Sequence, residues 1–314
     1  MFRTHLLTKL LVLRIALCTG LLLAGFASAQ TAEAVAGKDY EAGRSYFGSG
    51  NHVEYLAGDL PVIISVPHGG REKPEGIPNR PRGSFAFDAN TQELAREIAA
   101  EFHRHTGRHA HMVICRLHRL KVDCNREARE AAAGNPHALR AWTDFQGFID
   151  SARVAVTNRH GGGLFIDLHG HGHKEQRLEL GYLHKRQTLA LTDAELNRPE
   201  IAHEGSLRAL ARKSKLPYVE LLRGERSFGA LLEAEGFRAS PSPREPVPAE
   251  PYFTGAYNTA RHARDGSPVW GLQIETNYEG VRDTAENRQR FARALVKSVE
   301  TFLRQQAGMT LRWK

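Results

Sequence analysis

Three histidines alternate with glycine in LFIDLHGHGH, residues 164–173, and another stands in the run SVPHGG at His68. An imidazole can move a proton or offer a nitrogen to a divalent ion, so the question is which other groups the chain brings to it. His68 and His169 each follow an apolar run, LPVIISVP and LFIDL. Runs of that kind read as buried strands, and in open α/β sheets ligands gather beyond the carboxyl ends of the strands. Two more runs end on polar groups: VICRLHRLKVD leads to Arg119, Asp123, Asn125 and Arg126, and VWGLQI leads to Glu275. Two histidines, a carboxylate and several arginines at strand ends are the parts of a hydrolytic zinc site. Zinc takes about three protein ligands, keeps a position open for water, and needs a separate carboxylate to act on that water.

The elements that must position these groups alternate along the chain. Residues 60–67 and 111–119 read as strands, and TQELAREIAAEFHRHTG between them as an amphipathic helix, with Leu94, Ile98 and Phe102 four apart and Gly107 as its stop. Residues 137–158 read as helix, 164–169 and 179–184 as strands, 200–213 as helix, PYVELL (217–222) as extended and SFGALLEAEGF (227–237) as helix. SPSPREPVPAEP (240–251) is proline-rich, a surface connection or a lid beside a site. A strand over 269–277 and a long helix over 284–306 close the chain. Strands apolar on both faces and alternating with helices imply a single α/β domain, with a mostly parallel or mixed central sheet flanked by helices.

The first residues differ from the rest. Basic Arg3, Lys9 and Arg14 precede an apolar stretch that ends in Ala27-Ser28-Ala29, the pattern of a secretory signal cut after Ala29. Residues 1–29 are therefore expected to leave, residues 30–314 to form the mature domain, and the product to be periplasmic or extracellular with no lasting membrane anchor. The formal charge of +8 falls to +5 once Arg3, Lys9 and Arg14 are removed. No dense Lys/Arg run with interleaved aromatics appears, so a nucleic-acid partner is not expected, and a small anionic molecule suits the charge better. Cys115 and Cys124 are compatible with a bridge in an oxidising compartment or with two buried thiols.

SVPHGG, FDANTQELA, HRLKVDCNRE, IDLHGH, and YNTARH followed by LQIETN together resemble the N-formylglutamate amidohydrolase family. That family is similar in turn to the zinc carboxypeptidases and to aspartoacylase. The resemblance runs from about Pro61 to Arg282 and implies a zinc carboxypeptidase-like fold. It implies an enzyme that hydrolyses the C–N bond of an N-acyl amino acid or related carboxylate. A carboxypeptidase-like peptidase, a cell-wall peptide hydrolase and an inactive secreted binding protein are the alternatives.

The resemblance makes His68 and His169 zinc ligands. For the third ligand it leaves Asp88 and Glu72 as rivals. Asp88 is preferred, although an acid before a helix is also favoured there by the macrodipole. Glu275 is implied as the general base and Arg119 as the group that steadies the developing oxyanion. Asn125 and Arg126, in VDCNR, are implied to bind the substrate's free carboxylate, which a guanidinium fork matches with two bonds. Asn258 and Arg261, beside Tyr257, are expected to close over substrate. His171 is a possible outer contact and His173 a loop residue, while Asp167, two before His169, is placed to orient a neighbouring imidazole.

Overall fold

A computed structural model describes residues 40–311; the segment read as a secretory signal lies outside the described residues. The chemistry rests on one mixed eight-stranded sheet in the order β1-β2-β4-β3-β5-β8-β6-β7. The strands are β1 (Ser45–Phe47), β2 (Val53–Leu56), β3 (Val62–Val66), β4 (His111–Cys115), β5 (Gly163–Gly170), β6 (Leu178–Gly181), β7 (Ala239–Ser240) and β8 (Val269–Thr276). The central four, β4-β3-β5-β8, run parallel. Antiparallel partners border them, β2 beside β4 and β6 beside β8. The sheet is thus of the mixed α/β kind expected.

Alternation along the strands sorts the side chains. Val62, Ile64 and Val66 of β3, Leu164, Ile166 and Leu168 of β5, and Trp270, Leu272 and Ile274 of β8 share one core. That core is shared with helix α1 (Thr91–Thr106) and the last helix, α6 (Ala285–Ala307). Leu94, Ile98 and Phe102 supply α1's buried stripe, and Gly107, at φ 71°, ends it. Ile63, Phe165 and Val269 point the other way, into a core closed by the long helix α2 (Pro136–His160), whose Asn135 side chain caps its first turn. Because successive strand residues face opposite ways, Ser65, Asp167, His169, Gln273 and Glu275 all lie on this second face. The polar site is therefore built where β3, β5 and β8 run out of apolar residues.

Several local expectations differ from what is found. PYVELL is helical, α3 (Tyr218–Arg223), because Tyr218, Val219, Leu221 and Leu222 are all buried at helical spacing after Pro217. Its β-branched and aromatic content favoured a strand, and packing overrode that preference. The helix expected over 200–213 is two short ones, Pro199–Glu204 and Arg208–Ala211, broken at Gly205. Phe228–Ala234 (α4) is helical as expected, whereas the helix Tyr257–Ala263 (α5) and the strands β1, β2 and β7 had no assignment in the sequence. The proline-rich segment is anchored rather than loose: Ser240 and Ser242 are buried and bond to Glu245 and Glu233. Cys115 and Cys124 are free, buried thiols, which decides that alternative. No helix among the described residues is long and apolar enough to cross a membrane.

Candidate active site

His68 stands two residues past β3, His169 near the end of β5, and Asp88 in the turn that leads into α1. One ligand atom from each lies within 4.8 Å of the others, and all three residues are buried. Asp88 Oδ2 is 3.0 Å from His169 Nδ1 and 3.7 Å from His68 Nδ1. The Asp88 turn is held from several sides. Its own N–H donates to the His68 carbonyl at 3.1 Å, and the Gly170 N–H donates to Oδ2 at 3.1 Å. Asn90, left-handed at φ 63°, donates its side-chain amide to the Arg282 carbonyl at 2.9 Å. Arg282 gives its guanidinium to the carbonyls of Ala89, His171 and Thr276 and packs so close to Gly170 that a Cβ there would sit 2.3 Å from its Cζ. Glu72 points elsewhere, paired with Arg116 at 2.8 Å and His52 at 3.2 Å. The structure brings Asp88, and not Glu72, to the two imidazoles.

A second ring of carboxylates holds the imidazoles from behind. His68 Nε2–H donates to Asp123 Oδ1 at 2.6 Å, and His169 Nε2 lies 3.0 Å from Asp167 Oδ2. Asp167 is itself fixed by the Ser65 hydroxyl at 2.6 Å and the Asn258 amide at 3.3 Å. An imidazole with one nitrogen on an outer carboxylate and the other facing a shared centre is the arrangement of a metal ligand. A further observation fits: His68 Nδ1 is buried and has no hydrogen-bond partner among the described residues. An orphaned buried nitrogen is costly unless something outside the chain's own groups satisfies it. These donors, two imidazoles and a carboxylate, match zinc.

Charge in the cluster is tightly linked. Burial by itself would raise Asp88 and Asp123, but the facing imidazoles, joined at Asp123 by Arg119, hold both carboxyls well below their usual range. Burial would likewise lower His169, yet Asp167, Asp88 and Glu275 outweigh it and push the imidazole well above its ordinary value. Without a cation, a proton on His169 therefore supplies the positive charge between Asp88 and Asp167.

Glu275 pairs with His169 in the register of β5 and β8, and with Glu179 in that of β8 and β6. It is buried, its Oε1 accepts from Gln273 Nε2 at 2.8 Å, and it forms no ion pair with Arg282 among the described residues. Burial, with Asp88, Glu179 and Asp167 adding repulsion against the pull of His169, raises its carboxyl to about 8. The three cluster residues and Glu275 line one cavity of about 210 Å³, which Arg119, Asn125 and Arg126 also face. A larger hollow of about 450 Å³ around Arg238, Arg244 and Glu245 holds no imidazole, so size does not mark the site.

Other expected site residues are placed differently. Asn125 reaches the cavity, its oxygen accepting the Asn258 N–H at 2.9 Å and its side-chain nitrogen standing 3.0 Å from His169 Nε2. Asn258 is fully buried against Asp167 and Gln146 and does not line the cavity. Arg261 pairs with Asp150 at 2.8 Å and is not part of the lining either. Both stand on α5, whose buried face is spent on β5 and β8, so neither closes over the cavity. His173, expected to be an uninvolved loop residue, lines the cavity together with Phe253, and neither His173 nor Phe253 carried a role in the sequence reading. Asp123, one of the polar groups expected at a strand end with no role of its own, proves to be the carboxylate behind His68.

No family model matches the sequence, and no curated protein matches it. Distant likenesses exist among solved structures. A gene product of Agrobacterium tumefaciens is 17% identical, with 81% of this chain and 95% of that one covered at a TM-score of 0.47. N-formylglutamate amidohydrolase from Ralstonia eutropha is 13% identical, with 80% and 95% covered and a TM-score of 0.48. The N-acetylmuramyl-L-alanine amidase Ami1 from Mycobacterium smegmatis is 13% identical, with 78% and 97% covered and a TM-score of 0.32. Likeness at this level leaves the chemistry of the present chain to its own side chains.

Proposed function

We propose that this chain is a zinc-dependent amidohydrolase that cleaves the C–N bond of a small N-acyl amino acid or related amide bearing a free carboxylate. The observation that carries the reading is the His68–Asp88–His169 cluster, with its orphaned His68 Nδ1, opening on the same cavity as Glu275. His68, Asp88 and His169 would hold the ion. Bound there, zinc supplies a Lewis acid for the amide carbonyl and makes water acidic near neutral pH.

The chain's own groups account for the rest. Glu275 Oε1 is occupied by Gln273, which leaves Oε2 to take a proton from the attacking water and pass it to the departing nitrogen. A carboxyl that titrates near 8 without a cation is pulled lower beside one, toward the range in which it can both accept and return a proton at neutral pH. Arg119 spends Nε on Asp123 at 2.9 Å and Nη1 on the Ala86 carbonyl at 3.3 Å. Its remaining edge is the donor for the oxyanion of the tetrahedral intermediate. Arg126 is half-buried, with Nε 3.2 Å from Glu130, and is the cation available to a substrate carboxylate. The pattern Arg3, Lys9, Arg14 and Ala27-Ser28-Ala29 supports export to the periplasm or beyond, where peptides and N-acyl amino acids are both in reach.

Purified protein should carry about one equivalent of zinc, as the cluster with the unpartnered His68 Nδ1 implies among the described residues. Glu275→Gln should retain that zinc and lose amine release across a panel of N-acyl amino acids and dipeptides. A variant that keeps its activity, or wild-type protein that binds no zinc, refutes the assignment.

A further inference from the structure

A second group of donors stands beside the same cavity, with His171 and His173 in its lining and Glu179 buried behind them, one ligand atom of each within 4.8 Å of the others. Its chemistry differs from that of the first cluster, because its donors are already satisfied. His171 Nε2–H donates to the Arg177 carbonyl at 2.8 Å, and Nδ1 accepts the His173 N–H at 3.1 Å. Glu179, fully buried, accepts from His173 Nδ1–H at 2.9 Å on one oxygen and from the Phe253 N–H at 2.8 Å on the other. The Arg177 guanidinium stands 3.4 Å away as its counter-charge. A second cation would have to displace these bonds and sit against that guanidinium, so the group is a hydrogen-bonded wall and not a metal site.

That wall fixes two rings. One carboxylate reaches both the His173 loop and the segment that carries Phe253, and holds the rings 4.8 Å apart with 15° between their planes. The Phe253 segment is fastened further by Tyr252, whose hydroxyl donates to the Leu180 carbonyl at 2.7 Å, and by Arg177, which donates to the Pro251 carbonyl at 3.1 Å. Despite this anchoring, Phe253 is 44% exposed and lines the cavity. A phenyl ring fixed in a cavity lining and left this exposed gains burial when a ligand's apolar group covers it. Arg119 and Arg126 supply the cationic part of the same lining.

We propose that Phe253, backed by His173 and positioned by Glu179, is a binding subsite for a flat apolar group, so that the preferred ligand is an amide with one carboxylate and an aromatic substituent. This rests on the reading of the cavity as an amidohydrolase site. A substrate of the glutamate type would set its second carboxylate against a phenyl ring and beside buried Glu179, where nothing in the wall rewards a negative charge. An aromatic group instead gains both burial and a stacked partner.

The test uses the full zinc-loaded chain carrying Glu275→Gln, so that true substrates can be titrated calorimetrically without turnover. At least one of N-formylphenylalanine and N-benzoylglycine should bind about tenfold more tightly than N-formylglycine, and N-formylglutamate should gain nothing over glycine. Adding Phe253→Ala should close the aromatic gap, Phe253→Trp should preserve it, and Glu179→Gln should narrow it, since an amide cannot accept from both His173 and Phe253 as a carboxylate does. The two aromatic ligands differ in whether the ring lies in the amino acid or the acyl part, and the tighter one shows which end meets Phe253. Failure of both aromatic ligands to bind more tightly than N-formylglycine, a preference for glutamate, or a gap that survives Phe253→Ala overturns the subsite. Aromatic preference in binding, with no amine release from wild-type protein, would instead sink the hydrolase and leave the subsite standing.

Discussion

Metal binding at the His68–Asp88–His169 cluster should be strongly proton-linked, with a slope that the structure sets. In the absence of a cation, His169 is held well above its ordinary value, so at pH 6–7 its Nδ1 carries the proton that faces Asp88. An ion that takes Nδ1 must expel that proton. Glu275, raised to about 8 by burial and by its carboxylate neighbours, is also protonated in this window, and a divalent ion beside it favours the charged form. Between one and two protons should therefore leave for each ion bound. Each proton makes affinity rise tenfold per pH unit, so zinc should bind about 10- to 100-fold more tightly at pH 7 than at pH 6, about 1.4–2.7 kcal/mol. Above pH 8 the Glu275 contribution should fade as that group ionises unaided. Competition against a chromophoric chelator at pH 6, 7 and 8 gives the affinities, and calorimetry in two buffers of different ionisation heat counts the protons. Glu275→Gln should reduce the count by the share that Glu275 contributes. An affinity that is flat from pH 6 to 7, or a proton count untouched by Glu275→Gln, would refute the electrostatic account of the cluster.

Asp123→Asn should weaken zinc binding by about 10- to 100-fold, the usual effect of removing an outer partner of a ligating histidine, and the same chelator competition reads it. Arg126→Ala should raise KM for substrates with a free carboxylate while changing kcat little; an unaltered preference for acids over their amides rejects the anchoring role. Metal-free stability should also carry a Glu275 signature. A carboxyl raised in the folded state adds stability that is complete below its unfolded value of 4.5 and is lost as pH climbs through about 8. Between pH 5 and 8 the wild-type chain should therefore lose on the order of 3–5 kcal/mol that Glu275→Gln keeps, measured as the difference between their urea midpoints at each pH.

The strands that hold the site were legible because their apolar runs are long enough to be buried on both faces, and each stops where a polar residue begins. His68, His169 and Glu275 could be picked out on that ground alone. The polar residues within the runs were legible too, since Asp167 and His169, like Gln273 and Glu275, are two apart and so share a face. PYVELL was misread because its residue types suit a strand and only its burial against neighbouring helices makes it α3. Asn258 and Arg261 were misplaced for a similar reason: YNTARH shows polar groups near the site but not which way α5 turns, and Asn258 faces the sheet while Arg261 faces Asp150.

By itself, then, the sequence determined the alternation of strand and helix, the face on which the polar residues gather, and the two imidazoles and the carboxyl group that stand at the strand ends. Those depend on periodicity and on what each residue type can do, which are local properties. Tertiary structure alone decided that Asp88 rather than Glu72 meets the histidines, because one stands on a turn pinned by Gly170 and Arg282 and the other is drawn off by Arg116. It alone showed that Asp123 backs His68 and that Glu179 joins His173 to Phe253. Contacts between residues so far apart along the chain follow from how the sheet is stacked and which loops converge on its edge, and no local pattern encodes that convergence.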